Sequence, residues 1–416
     1  MTSLIRSWVE SANDPECAFP LNNLPFGVFS NADKPRCATA IGNKVLDLAA
    51  LQSAKLIPNC GFDQPAINTF MSMGNDVWSD ARETLISLLK EGNETETVSN
   101  ALYDLNSVKL HLPFEVAELT DFYSGRNHAF NVGSMFRDPD NALPPNWLHI
   151  PIAYNGRAST VVVSGQAIHR PLGQTLPPTA DKPVFGPSKR LDIELEMGAV
   201  VGMPSAMGKP LSVDEAQDSI FGFVLLNDWS ARDLQKWEYQ PLGPFQAKAF
   251  ATSISPWVVT KAALAQFRCS TPPREQELLP YIKDTTPMLY DIKLSISMAA
   301  EGGEPAVISR TNYNQMYYSA AQQLAHHSSS GCAMSTGDLL GSGTISGADK
   351  TAYGSLLEMT WGGKEPITLT NGQSRTFLED GDTVTLHGHA QGDGFRVGFG
   401  DCSGQIIPAH TSPVES

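Results

Sequence analysis

Three carboxylates recur at every second position of "RLDIELEMGAVVG" (190–202): Asp192, Glu194 and Glu196, with Leu191, Ile193, Leu195 and Met197 between them. In a β-strand, alternate side chains point to opposite faces, so one face is apolar and the other carries acids spaced about 7 Å apart. Two kinds of chemistry follow. On a strand whose outer face meets water the acids are simply solvated. Where they are partly buried they repel one another, and must either take up protons or hold a cation. These residues alone leave both readings open.

Two further segments are dense in reactive side chains. "LTDFYSGRNHAFNVGSMFR" (119–137) gathers Asp121, Tyr123, Arg126, His128 and Arg137. A lone histidine is usually structural, but this one has a carboxylate, a tyrosine and two cations for neighbours. In "FGFVLLNDWSARDLQKWEYQPLGPFQAKAFATSISPW" (221–257) an apolar run ends in Asn227-Asp228, followed by Arg232, Asp233, Gln235, Lys236, Glu238 and Lys248. Ligand sites favour the ends of buried strands, although a polar surface helix would read the same way. His326-His327 stands at a predicted helix end, where the dipole favours a cationic imidazole, and reads as structural. The chain has no GxSxG elbow, HExxH or Walker loop, and the glycine-rich "GSGTISG" lacks dinucleotide-loop spacing.

The elements that must position these groups are mostly strands. With 416 residues the chain has room for two or three domains and a large core. "FGVFS" and "KVLDLAAL" predict short strands of a small N-terminal unit. Trp78, Ala81, Leu85 and Leu88/Leu89 recur at helical spacing within 66–90, and Gly92 is a plausible stop. The polar "EGNETETVSN" reads as a linker, and a boundary is expected near residue 115. Beyond it, short apolar or alternating runs ("STVVVSG", "FGFVLLND", "SPWVVT", "YDIKLSISM", "DTVTLHGHA") predict a mostly β, mixed or rolled sheet. Only "SVDEAQDSIFG" and "YNQMYYSAAQQLAHHSSSG" stand out there as helical.

Composition narrows the partners. Lys+Arg 29 against Asp+Glu 44 gives a formal charge of −15, which argues against nucleic acid and anionic membranes. An anionic ligand would need a local Arg/Lys cluster. No apolar run is long enough to span a bilayer, and "MTSLIRSWVESANDPECAFP" does not read as a signal peptide. The six scattered cysteines read as reduced packing residues of a cytosolic protein.

Taken together, "TDFYSGRNHAFNVGSMFR", "NWLHIPIAYNGRASTVVVSG", "DIELEMG", "NDWSARDLQKWEYQPLGPF", "SGTISGADK" and "GHAQGDGFRVGFGDC" closely resemble the fumarylacetoacetate hydrolase family, from near "FPLNNLPFGVFS" to "IIPA". Asn155 departs from the family pattern, which more often has His there. The resemblance implies a mostly β (α+β) chain, with a small N-terminal SH3-like β-barrel domain (1–115) and a large C-terminal mixed β-roll domain (116–416). It also implies a cytoplasmic homodimer. The implied activity is hydrolysis of a carbon–carbon bond in 4-fumarylacetoacetate, a dicarboxylate diketone, at the last step of tyrosine and phenylalanine breakdown. A hydrolase, decarboxylase or isomerase acting on another oxo-acid is the alternative, with a non-catalytic metal-binding protein further off.

By the same resemblance, Asp121, Glu194, Glu196 and Asp228 ligate a divalent cation, Ca²⁺ or Mg²⁺, with Lys248 and Thr252 in its outer environment. Such hard ions prefer an all-oxygen donor set. Asp192 shares the strand face but is not a ligand in the family, so the solvated reading is expected for it alone. His128 is the implied general base, oriented by Glu358. Arg232, Gln235 and Lys248 are implied oxyanion donors. Tyr123, Arg137, Tyr154, Tyr239 and Thr344 are implied substrate contacts.

Overall fold

The computed structural model describes residues 3–137 and 139–410, so the ends of both expected domains and Asp138 lie outside the described residues. The chain is mostly β with shorter helices, as expected. Its largest sheet has thirteen strands among the described residues. Four adjacent strands form the part that matters for chemistry: Ile220–Asp228, Leu195–Val201, Leu339–Gly341 and Leu119–Phe122. Leu195–Val201 lies antiparallel to both neighbours, while Leu339–Gly341 and Leu119–Phe122 run parallel.

Ile220–Asp228 and Leu195–Val201 are buried along their whole length. A strand covered on both faces needs a near-continuous apolar run rather than alternation, and "IFGFVLLN" supplies one. Two glycines let the sheet close up: a Cβ at Gly198 would come within 2.7 Å of Leu339, and one at Gly222 within 2.3 Å of the Val259 carbonyl oxygen.

The N-terminal strands are not a separately closed barrel among the described residues. Phe26–Ser30 pairs with Arg36–Ile41 and also with Trp257–Thr260, next to Ile220–Asp228 in the same large sheet. One core joins the units across this seam: Phe26, Phe70 and Trp78 of the N-terminal part pack against Phe221, with ring centroids 5.1 to 5.8 Å from it.

The helix expected within 66–90 forms as Asn68–Met71 and Asn75–Leu89, broken at Gly74, whose φ of +87° suits glycine. "SVDEAQDSIFG" yields Val213–Ser219 behind a Ser212/Glu215 capping box, but its "IFG" starts the next strand. In "YNQMYYSAAQQLAHHSSSG" only Ala320–Ser328 is α-helical, because Ser319 caps its start through Gln322. Burial pushes the His326 and His327 imidazoles down, so the cationic form expected at this helix end is not the favoured one.

One functional helix escapes periodicity. Arg126–Phe136 contains Gly133 in its second half, a poor helix former. Packing overrides propensity there: a Cβ on Gly133 would lie 1.9 Å from the Ala142 carbonyl oxygen, so only glycine allows the helix to sit this close.

Candidate active site and metal centre

The sheet register brings the acids together. Asp121 stands beside Gly341 in the parallel pair, Glu196 follows Leu195 on the neighbouring strand, and Asp228 ends the strand after that, opposite Thr252. One carboxylate oxygen from each of Asp121, Glu196 and Asp228 lies within 4.8 Å of the others. All three side chains are buried. Gly341 makes the convergence possible, since a Cβ there would stand 3.0 Å from Glu196 Oε2 and 3.1 Å from Asp121 Oδ1.

Glu194 behaves differently. It precedes the strand, and its Oε1 meets Arg232 Nη1 at 2.6 Å while its Oε2 accepts from Lys248 Nζ at 2.6 Å. Lys248 also donates to Asp228 Oδ2, so it bridges the two acids. Burial alone would raise the Glu194 carboxyl, but Lys248, Arg232 and His128 outweigh it and hold the group well below its usual range. Burial and mutual repulsion instead push Glu196 and Asp228 far up, and burial raises Asp121.

A hard divalent ion fits this donor set. Asp121 Oδ1 and Glu196 Oε1 are buried and accept no hydrogen bond. Their partner oxygens are already fixed, Asp121 Oδ2 by Tyr154 OH at 2.5 Å and Glu196 Oε2 by the Gly343 amide at 2.9 Å. Two buried carboxyl oxygens without a hydrogen-bond partner, in a cluster of three acids whose oxygens approach within 4.8 Å, suit an oxygen-liganded cation. Of the four implied ligands, Asp121, Glu196 and Asp228 form the cluster, and Glu194 adjoins it through Lys248.

His128 comes from the Arg126–Phe136 helix. Its Nδ1 lies 2.6 Å from Glu358 Oε2, and its Nε2 faces Glu194 Oε1 at 3.9 Å. Glu358 is fully buried and held by Ser346 Oγ, Ser355 Oγ and Asn131 Nδ2. Burial would raise its carboxyl, but His128 and these donors win and lower it. Sequence reasoning missed Asn131, although its place three residues after His128 on one helix face carried a signal.

The other implied residues are placed as follows. Gln235 Oε1 accepts from Arg232 Nη1 at 3.3 Å. Tyr123 packs edge-on against His128, with centroids 5.6 Å apart, and burial drives its hydroxyl far up. Thr344 is buried with its Oγ1 unpartnered. Arg137 donates to the Ala142 carbonyl and Tyr239 is largely exposed, so neither is tied to the acid cluster by a direct contact.

Asp192 requires a correction. It is wholly buried rather than on a wetted face. The strand breaks at Ile193-Glu194, so the three acids do not share one regular face. Burial raises its carboxyl against the pull of Arg232. All its partners are nevertheless donors, which favours the carboxylate.

Fold and site together define the class: a β-rich enzyme with a buried acid centre next to a carboxylate-oriented histidine. The model for the "Fumarylacetoacetate (FAA) hydrolase C-terminal" domain matches residues 119–407, and that for the "Fumarylacetoacetase N-terminal" domain matches 22–113. The fumarylacetoacetase of Rattus norvegicus is 47% identical, covering 97% of this chain and 99% of that protein. The Arabidopsis thaliana fumarylacetoacetase is 46% identical, covering 98% and 99%. A solved fumarylacetoacetate hydrolase from Exiguobacterium antarcticum shares the fold at TM-score 0.54 and 15% identity, covering 93% of this chain and 100% of that one. The chain belongs to the fumarylacetoacetate hydrolase family.

Proposed function

We propose that this chain hydrolyses the carbon–carbon bond of 4-fumarylacetoacetate to fumarate and acetoacetate, closing tyrosine and phenylalanine breakdown. The observation that carries the reading is the His128–Glu358 pair set against the Asp121/Glu196/Asp228 cluster. The 43–48% identity to fumarylacetoacetases along nearly the whole chain supports the substrate.

Glu358 accepts a hydrogen bond from His128 Nδ1–H, which leaves Nε2 free to take a proton from water. The water oxygen attacks the ketone carbon of the fumaryl group itself, which becomes the new carboxyl of fumarate, and the resulting oxyanion is met by Arg232, Gln235 and Lys248. The carbon–carbon bond then breaks, its electron pair leaves with acetoacetate, and the proton on His128 returns to that carbon. Asp121, Glu194, Glu196 and Asp228 would hold Ca²⁺ or Mg²⁺, with Lys248 and Thr252 around them. Such an ion supplies a Lewis acid for the 1,3-dicarbonyl oxygens. Tyr123, Arg137, Tyr154, Tyr239 and Thr344 would contact substrate, and Arg137, Arg232 and Lys248 would draw a dianion to a chain of charge −15.

The same reading carries an SH3-like unit over 1–115, a β-roll over 116–416, and a cytoplasmic homodimer. The separate matches over 22–113 and 119–407 support the boundary. Exposed Phe185, Leu242 and Phe245 are apolar surface that a second copy would cover. Loss of the ultraviolet absorbance of fumarylacetoacetate tests the activity, with and without EDTA. Metal-restorable loss with fumarate as product is expected, and no turnover by the metal-replete protein would overturn the reading.

A further inference from the structure

The acid that the strand pattern left without a task accepts as many hydrogen bonds as Glu358 does. Asp192 is 0% exposed. Its Oδ1 accepts from the Ile193 amide at 2.8 Å and the Leu356 amide at 2.8 Å. Its Oδ2 accepts from Arg232 Nε at 2.8 Å and the Leu357 amide at 3.0 Å. A carboxylate satisfied by four donors in a buried setting has one orientation only.

Three of these donors belong to two different arms of the proposed chemistry. Arg232 leads to the oxyanion: with Nε on Asp192 and Nη1 on Glu194 and Gln235, its buried Nη2 is left with no protein partner. Under the hydrolytic reading, that nitrogen is the one left to donate to substrate. Leu356 and Leu357 lead to the base, because they open the short helix Leu356–Met359 that carries Glu358 to His128. Asp192 also pairs with Ser230 across the strands, which fixes it against the segment preceding Arg232.

We propose that Asp192 is a positioning residue that ties the oxyanion donor Arg232 and the Glu358–His128 base pair to one fixed point, setting the distance between them. The proposal rests on the hydrolytic reading above. Its physical basis is that a misplacement of about 1 Å in a catalytic group costs on the order of 100-fold in rate. In Asp192→Asn the side-chain NH₂ would face either the Ile193 and Leu356 amides or Arg232 Nε and the Leu357 amide, donor against donor, so at least one arm must let go.

Steady-state hydrolysis by the full-length, Mg²⁺-saturated protein tests it. Asp192→Asn is expected to lower kcat by about 100-fold, with KM and the calorimetric Mg²⁺ affinity within about threefold of the parent. That kcat penalty should shrink by at least about tenfold in an Arg232→Met background, and again in a Glu358→Gln background, because residues acting as a unit are not additive. Full additivity in both backgrounds, or a loss confined to KM, overturns the proposal.

A second measurement leaves Asp192 intact, in case its variant does not fold. Arg232→Ala should recover kcat with added methylguanidinium, whose fork can bond Asp192 and substrate together, but not with methylammonium. Equal rescue by both ions overturns the proposal. Absence of turnover by the parent protein would instead sink the hydrolytic reading itself.

Discussion

Glu194 and Glu196 are two residues apart, both buried, and face opposite electrostatic fates. Glu194 is paired on both oxygens by Arg232 and Lys248. Glu196 has one oxygen on the Gly343 amide and the other on nothing. The first is held ionised by its neighbours, and the second is pushed toward protonation by burial and by Asp121 and Asp228. One end of the acid cluster is therefore neutralised by the protein and the other calls for a cation from outside. A site so divided can hold an ion firmly and still present fixed positive donors to substrate.

The largest effect expected at the paired end is on catalysis. His128→Ala should lower kcat by about 10²–10⁴ while leaving calorimetric cation affinity nearly intact; unchanged kcat would remove the base assignment. Next, the two glutamates should respond differently in thermal melts of the cation-free protein. Glu194→Gln leaves Arg232 and Lys248 short of a buried partner and should cost roughly 3–5 kcal/mol. Glu196→Gln removes an uncompensated carboxylate and should cost no stability, yet weaken Mg²⁺ binding by at least about tenfold. Equal destabilisation by both would erase the contrast. The smallest change is Gly341→Ala, whose methyl would crowd Glu196 and Asp121. It should cost about 1–3 kcal/mol and lower cation affinity without touching the Glu194 end.

Residue types and local pattern carried much of this into view. The apolar run into Asn227-Asp228 marked a buried strand end, and Asp228 stands there. The crowded 119–137 segment contained both Asp121 and His128. The helix that presents His128 was invisible, because Gly133 argues against helix and only contact with Ala142 explains it. The solvated reading of Asp192 failed for a related reason: alternation assumes an unbroken strand, and this one breaks between Asp192 and Leu195. The continuity of the N-terminal strands with the catalytic sheet rests on Phe26–Ser30 meeting Trp257–Thr260, a pairing no local pattern announces.

The sequence by itself determined the chemical inventory: an acid-rich, β-rich chain with an all-oxygen donor set, a candidate histidine and a small group of cations able to receive an anion. Its local periods also determined where several buried strands and capped helices would form. Only the tertiary structure decided which acids are compensated. His128 meets Glu358 across 230 residues of chain, and Asp192 meets Leu356 across 164. Charge compensation depends on distances of a few ångströms and on burial. Those are set by which distant segments pack together, and a residue's type and its near neighbours in the chain do not contain them.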